Sequence, residues 1–339
     1  LELRGLKKQN IRGFTYVWPQ DAMKTLKMYS NEQYSKELLP ALRPVMYKVL
    51  LFLDIPQQYF DIHDNCLIFV KALIAMEQYN EAFYLLSRLN LNKLDSYGYR
   101  DFSEASLDLA SKMIQANSKL AKVARALLQK VTIRNNSADH ASYLKLADSL
   151  RTQGLYNEAI SEYARLGPIV QKSPGSPYAK IIEIWPIYCY LKLYETYAKA
   201  SLKDARYKEP AGKIFNTAMQ TVKKLDERPP ARHTNEYSLY KLIRALLRVQ
   251  YARQYEQGGN ELKAAEFYRQ SVLEVTEGIV SARVGLDWLP ESLLMAGDAY
   301  EKLNLHEAAM NVYKQVSIFY KGSKWAVESK KRLDALPSS

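Results

Sequence analysis

The hydrophobic positions of this chain recur at helical spacing, and one arrangement of them returns four times. In HASYLKLADSLRTQGLYNEAISEYARL the small Ala147 is followed by Leu150, Gly154, Ala159, Tyr163 and Leu166. RVQYARQYEQGGNELKAAEFYRQS holds Ala252, Tyr255, Gly259, Ala264, Tyr268 and Ser271 in the same places. SLLMAGDAYEKLNLHEAAMNVYKQV supplies Gly297, Tyr300, Asn304, Ala309, Tyr313 and Val316, and IFVKALIAMEQYNEAFYLLSRL supplies Val70, Leu73, Glu77, Ala82, Leu86 and Leu89.

This spacing predicts a helix-turn-helix. A small residue in the first helix and an alanine in the second let two antiparallel helices approach closely, and the bulky residues three and four places on fill the space beside them. The Gly or Asn between them stands where the first helix ends, a place that favours left-handed backbone. A larger pair is predicted over 178–225, with a long first helix ending before KDARYKEPAG and a second through KIFNTAMQTVKKL. Residues 14–55 read as a further helical pair, and 103–131 as a single long helix.

The recurring positions resemble the tetratricopeptide repeat pattern. That resemblance implies an all-α fold, an α-solenoid in which helical hairpins, some degenerate, wind as a right-handed superhelix with a concave inner face. The aligned alanines are 77, 105 and 45 residues apart, not multiples of the family's repeat of about 34, so some units are enlarged. The expected organisation is an N-terminal helical region of degenerate hairpins over 1–135, followed by a C-terminal array over 136–339, in one continuous solenoid.

A second resemblance rests on SPGSPYAKIIEIW at 173–185 and FYKGSKWAVESKKRL at 319–333, which share Gly-Ser-x-aromatic-Ala at a helix start. Ser176 and Ser323 are expected to cap the helices, Pro177 to open the first, and Tyr178 and Trp325 to pack back over the preceding hairpin. The combination looks like the repeat junctions of bacterial cell-envelope tetratricopeptide proteins, including outer-membrane assembly lipoproteins and coordinators of envelope constriction. It implies a periplasmic or outer-membrane-associated location, with the cytoplasm as the alternative. The chain opens on Leu1, which leaves a signal peptide or lipid anchor upstream open.

Composition agrees with helices, since 13 Gly and 13 Pro in 339 residues are too few for the turns of an all-β protein. The net charge of +12 is spread, with 22 Lys and Arg against 17 Asp and Glu over 1–170 and 26 against 19 after it, so neither half is a basic tail. Cys66 and Cys189 each sit in an apolar helical stretch and read as buried free thiols. The apolar runs at 45–53 and 66–76 are too short for the roughly 20 residues a bilayer span requires, which leaves only peripheral membrane association.

Candidate chemistry is sparse. His63, with Asp61, Asp64 and Cys66 nearby, matches no ligand spacing, and Asp64 is better read as the cap of the following helix. No phosphate loop, nucleophile elbow or Cys-x-x-Cys is present, so neither an enzyme nor a cofactor is expected. The expected function is a scaffold or adaptor that holds a segment of another protein. By the family's geometry the inward positions are Leu144, Lys145, Asp148 and Arg151; Val249, Gln250, Arg253 and Glu256; and Glu291, Leu294, Met295 and Asp298. They do not reproduce the Lys and Asn clamp of chaperone-docking members. Tyr190, Tyr194 and Tyr197 share one helical face and suit either a groove or a core. The alternative is a contact with RNA or another anionic surface through Lys112, Lys119, Lys122, Arg125 and Lys130, a stripe with no acid between Asp108 and Asp139. Nucleic acid is disfavoured, because no regular pair of base-reading side chains recurs in the repeats.

Overall fold

The structure, a computed structural model, describes Gln20 and residues 38–49, 62–91, 94, 96–128, 137–173, 175–282 and 286–336. Among them every regular element is a helix, which makes this an all-α helical-repeat fold. Two compact units are present, one of residues 1–158 and 168–174 and the other of 159–167 and 175–339.

In the first unit, α1 (Leu38–Val49) packs on α2 (His63–Ala75), and α2 pairs with α3 (Tyr79–Arg88) and with α4 (Ser96–Ala116). Helix α4 packs in turn on α5 (Ala121–Leu128) and α6 (Ser137–Thr152). The Arg43 guanidinium of α1 forks onto Glu81 of α3 at 2.8 and 2.7 Å, and the Tyr47 hydroxyl adds a bond of 3.0 Å. The bonds from Arg43 hold the Glu81 carboxyl below its ordinary range, against the opposing effect of burial. Helix α7 (Tyr156–Gln171) has residues in both units. The second unit continues with α8 (Ala179–Ser201), α9 (Lys208–Glu227), α10 (Asn235–Gln257), α11 (Glu261–Ser281), α12 (Leu289–Lys302), α13 (His306–Phe319) and α14 (Lys324–Ala335).

All four expected turn residues adopt left-handed backbone: Glu77 at φ 59°, Gly154 at 76°, Gly259 at 74° and Asn304 at 59°. The closing bonds are the same each time. The residue after the turn donates its N–H to the carbonyl five places back, Gln78 to Leu73, Leu155 to Leu150, Asn260 to Tyr255 and Leu305 to Tyr300, at 2.8–2.9 Å. Those acceptors are the bulky second positions of the sequence pattern, so the repeat encodes a Schellman turn that satisfies orphan carbonyls. The crossing residues behave alike. Ala82, Ala159 and Ala309 are fully buried, Ala264 nearly so, and Tyr163, Tyr268 and Tyr313 lie inside. Gly297 is required where it stands, because a Cβ there would run into the Tyr313 ring.

Several expectations need correction. The single helix over 103–131 is broken. Helix α4 ends at Ala116, the Asn117 side chain accepts the Lys119 N–H at 3.0 Å, and a 3-10 turn at Ser118–Leu120 leads into α5. An Asn that bonds its own downstream backbone competes with the helical ladder and stops it. Asp64 lies inside the first turn of α2, whose cap is Ile62, so its carboxylate complements the helix dipole and does not cap. Helix α8 starts at Ala179 with Tyr178 as cap, one residue beyond Pro177, and Ser176 makes only a 3.4 Å contact to the Tyr178 N–H. Ser323 does cap α14, accepting the Ala326 N–H at 3.1 Å. The enlarged pair is α8 with α9, although α9 begins at Lys208 and takes in KEPAG, with Pro210 in its first turn where no intrahelical donor is lost. Both cysteines are buried and free, and burial raises the Cys66 thiol to about 12. Of the pair expected over 14–55, Gln20 and α1 are described and the rest lies outside the described residues, as do Asp61 and Lys130.

Candidate functional site

Helices α8, α10, α12 and α14, with Tyr268 of α11, line a cleft of about 360 Å³ in the second unit. Each is the first helix of its pair or follows as the next in line, so the same side of successive hairpins builds one wall after another. Leu246, Val249, Leu294 and Met295 form a floor, each less than a tenth exposed, and Trp325 stands over it from α14. Trp325 packs against the cluster of Leu294, Ala309 and Tyr313, and Ser329 of α14 donates its hydroxyl to the Tyr313 carbonyl at 3.0 Å. The Gly-Ser-x-Trp-Ala junction therefore has a structural task. It starts α14 at the right place to carry Trp325 and Arg332 to the cleft.

The walls are charged, and the charges are paired. Lys192 bonds Glu291 at 2.8 Å, and Glu291 also accepts the Tyr188 hydroxyl at 2.9 Å. Arg253 and Lys199 reach Glu195 at 2.8 and 3.4 Å. Arg332 lies 3.4 Å from Asp298 and 3.5 Å from Glu328, and Lys302 is 3.0 Å from Glu256. Burial would raise the Glu195 carboxyl, but Lys192, Arg253 and Lys199 outweigh it and hold the group below its ordinary range. Asp298 shows the opposite balance. Burial raises it, and the Tyr313 hydroxyl at 2.7 Å with the more distant Arg332 only partly offsets that. Tyr313 and Tyr268 are themselves pushed up, by burial first and then by the carboxylates they donate to. Tyr313 donates to Glu301 at 3.0 Å and Tyr268 to Glu256 at 3.0 Å, each twelve residues back, so the repeat carries a polar tie as well as an apolar one.

Seven of the expected inward positions meet in this cleft: Val249, Gln250, Arg253, Glu291, Leu294, Met295 and Asp298. Glu256 is bonded to two lining residues, Tyr268 and Lys302. Leu144, Lys145, Asp148 and Arg151 belong to the first unit. There Leu144 is buried, Lys145 bonds Asp108 at 2.7 Å, and Arg151 contacts Asp148 at 3.3 Å. Lys192, Glu195 and Lys199 of α8, and Trp325, Glu328 and Arg332 of α14, were not expected in the site. A signal for the first three exists in retrospect, since they recur at intervals of three and four on a helix otherwise rich in Ile, Leu and Tyr.

A smaller extension shares Glu195, Lys199, Gln250 and Arg253 with the cleft and adds Tyr194, Leu202, Gln254 and Gln257. Tyr194 accepts from Gln254 at 2.9 Å and packs on Phe215 with ring centres 4.6 Å apart. Tyr197 packs on Tyr207 at 5.7 Å, and Tyr190 is half-buried. The basic stripe does not persist as one face. Lys112 precedes the break at Asn117 and pairs with Asp108 at 3.3 Å, whereas Lys119 lies in the 3-10 turn and Lys122 and Arg125 on α5. His63 is buried in α2, and among the described residues no cluster of His, Cys, Asp and Glu is arranged to hold a metal.

Comparison with curated proteins finds no match to this chain. Residues 290–317, which take in α12 from Pro290 and most of α13, match the family model described as Tetratricopeptide repeat, so the hairpin that supplies Glu291, Leu294, Met295 and Asp298 to the cleft is similar to that repeat.

Proposed function

We propose that this protein is a non-enzymatic interaction scaffold, and that the cleft of the second unit receives a segment of a partner protein. The observation that carries this reading is the convergence of four helices on one apolar floor, edged by polar side chains from every wall. Peptide grooves in helical repeats work in this way, with buried apolar contacts giving affinity and the polar edge fixing register. Each lysine and arginine lining the cleft already has a carboxylate within 3.4 Å. The occupant is therefore held by apolar contact and directed hydrogen bonds, and its affinity should change little with salt.

The experiment is site-specific photo-crosslinking in cells, with a photoreactive side chain at Met295 or Val249 and a control at Leu262, which is 89% exposed on α11. A partner trapped from the cleft positions and not from Leu262 supports the proposal. Equal capture from all three positions, or capture from Leu262 alone, removes it.

A further inference from the structure

The corner between α13 and α14 carries a surface that the cleft does not use. Ile318 and Phe319, the last two residues of α13, are 59% and 75% exposed, although most large apolar side chains of this unit are inside. Ile318 lies opposite the buried face of Ala309, Tyr313 and Val316, and Lys314 stands one turn before it on the same outer side. Lys321 follows in the turn, where Gly322 has φ 83° and reverses the chain. Lys314 and Lys321 are exposed, and no carboxylate pairs with either among the described residues. Lys324 opens α14, its ammonium 4.7 Å from the Trp325 ring centre, and Val327 one turn on is 57% exposed. Residues 310–336 hold six Lys and Arg against Glu328 and Asp334, a net +4 out of the +12 of the whole chain.

Exposed apolar residues flanked by lysines discriminate between occupants. Protein interfaces are depleted in lysine at their centres and seat their aromatic anchors in pockets. Here the Phe319 side chain is exposed and the exposed Lys314 and Lys321 flank it along the chain, an arrangement suited to a bilayer surface. Apolar side chains enter the headgroup boundary while lysine stems lie along it and carry their charges to lipid phosphates. Each such lysine adds to attraction by an anionic leaflet.

We propose that this corner docks the protein on an anionic phospholipid bilayer, with Ile318 and Phe319 entering the headgroup region and Lys314, Lys321 and Lys324 contacting lipid phosphates. The test is co-sedimentation of the full chain with vesicles of phosphatidylcholine alone or mixed with phosphatidylglycerol. Binding is expected to be at least about tenfold stronger to the mixed vesicles. It should fall by about tenfold or more in the double variant Ile318→Ser with Phe319→Ser, and in Lys321→Glu with Lys324→Glu. Leu273→Ser, on the outer face of α11, should bind as the parent does. A Phe319→Trp variant should shift its emission to the blue on adding mixed vesicles and not on adding phosphatidylcholine. Failure of the parent to sediment with mixed vesicles, full binding by the double serine variant, or unchanged tryptophan emission overturns the proposal. So does a parent that is dimeric by sedimentation velocity and becomes monomeric on Ile318→Ser with Phe319→Ser, since a second copy would then cover the corner.

Discussion

Two hairpins of the second unit share one pattern and hold themselves together differently. Helices α10 and α11 are 23 and 21 residues long, whereas α12 and α13 are 14 each. Their turns match, Gly259 against Asn304, and so do their crossing residues, Ala264 and Tyr268 against Ala309 and Tyr313. The short hairpin relies on that crossing, with Gly297 against the Tyr313 ring and the Tyr313 hydroxyl tied to Asp298. The long hairpin extends away from the turn into a second contact. There Gly278 meets Lys241, and Lys241 sits between Glu274 and Glu277 at 2.7 Å from each. Arg244 joins Glu274 at 2.8 Å to Asp226 of α9 at 3.1 Å, and Asp226 also accepts the Tyr240 hydroxyl, which burial raises to about 12. The repeat pattern thus specifies the turn and the first crossing, and a polar layer decides how far the helices continue.

The comparison can be broken first at the short hairpin. Gly297→Leu should destabilise by about 3 kcal/mol, because overpacking forces α12 and α13 apart at the crossing on which the short hairpin relies. Thermal or denaturant unfolding measures this, and an unchanged midpoint would mean that Tyr313 moves aside freely. Next in size is the polar layer. Lys241→Met should cost about 1–2 kcal/mol, since it leaves the Glu274 and Glu277 carboxylates facing the stem of a neutral residue, while Arg244 still compensates Glu274. Hydrogen exchange should then accelerate at the ends of α10 and α11 far from Gly259 and stay slow near it. Acceleration spread evenly along both helices would show that the layer does not control length. The smallest effect is at a turn. Glu77 holds a left-handed backbone without being glycine, so Glu77→Gly should raise stability by about 0.5–1 kcal/mol once the greater freedom of the unfolded chain is subtracted.

The turns and crossings were legible in the sequence because local physics dictates them. A left-handed residue wants Gly or Asn, and a close approach wants Ala or Gly. Even Glu77 was found, through its place in the pattern and against its own preference. The break at Asn117 was also written locally, in an Asn followed by Ser, but charge spacing across 103–131 concealed it. The cleft was half legible. Val249 to Arg253 and Glu291 to Asp298 followed from the repeat register, whereas Lys192 to Lys199 lie in an enlarged pair and Trp325 to Arg332 beyond the last matched turn, where no register extends. The layer around Lys241 could not be read at all, since it joins residues 18 to 36 positions apart through side chains that each look like ordinary surface charges.

The central claim is that the cleft of the second unit binds a protein segment. Its most direct measurement is the affinity of the crosslinked partner segment for the parent protein and for Met295→Lys combined with Glu328→Lys, with melting followed in parallel. The account predicts a loss of at least about a hundredfold, since the pair puts charge on the apolar floor and reverses a wall residue, with folding retained. Unchanged affinity in that variant, or a loss that appears only when Lys112, Lys119 and Lys122 are neutralised, would contradict it and move the working surface to the first unit.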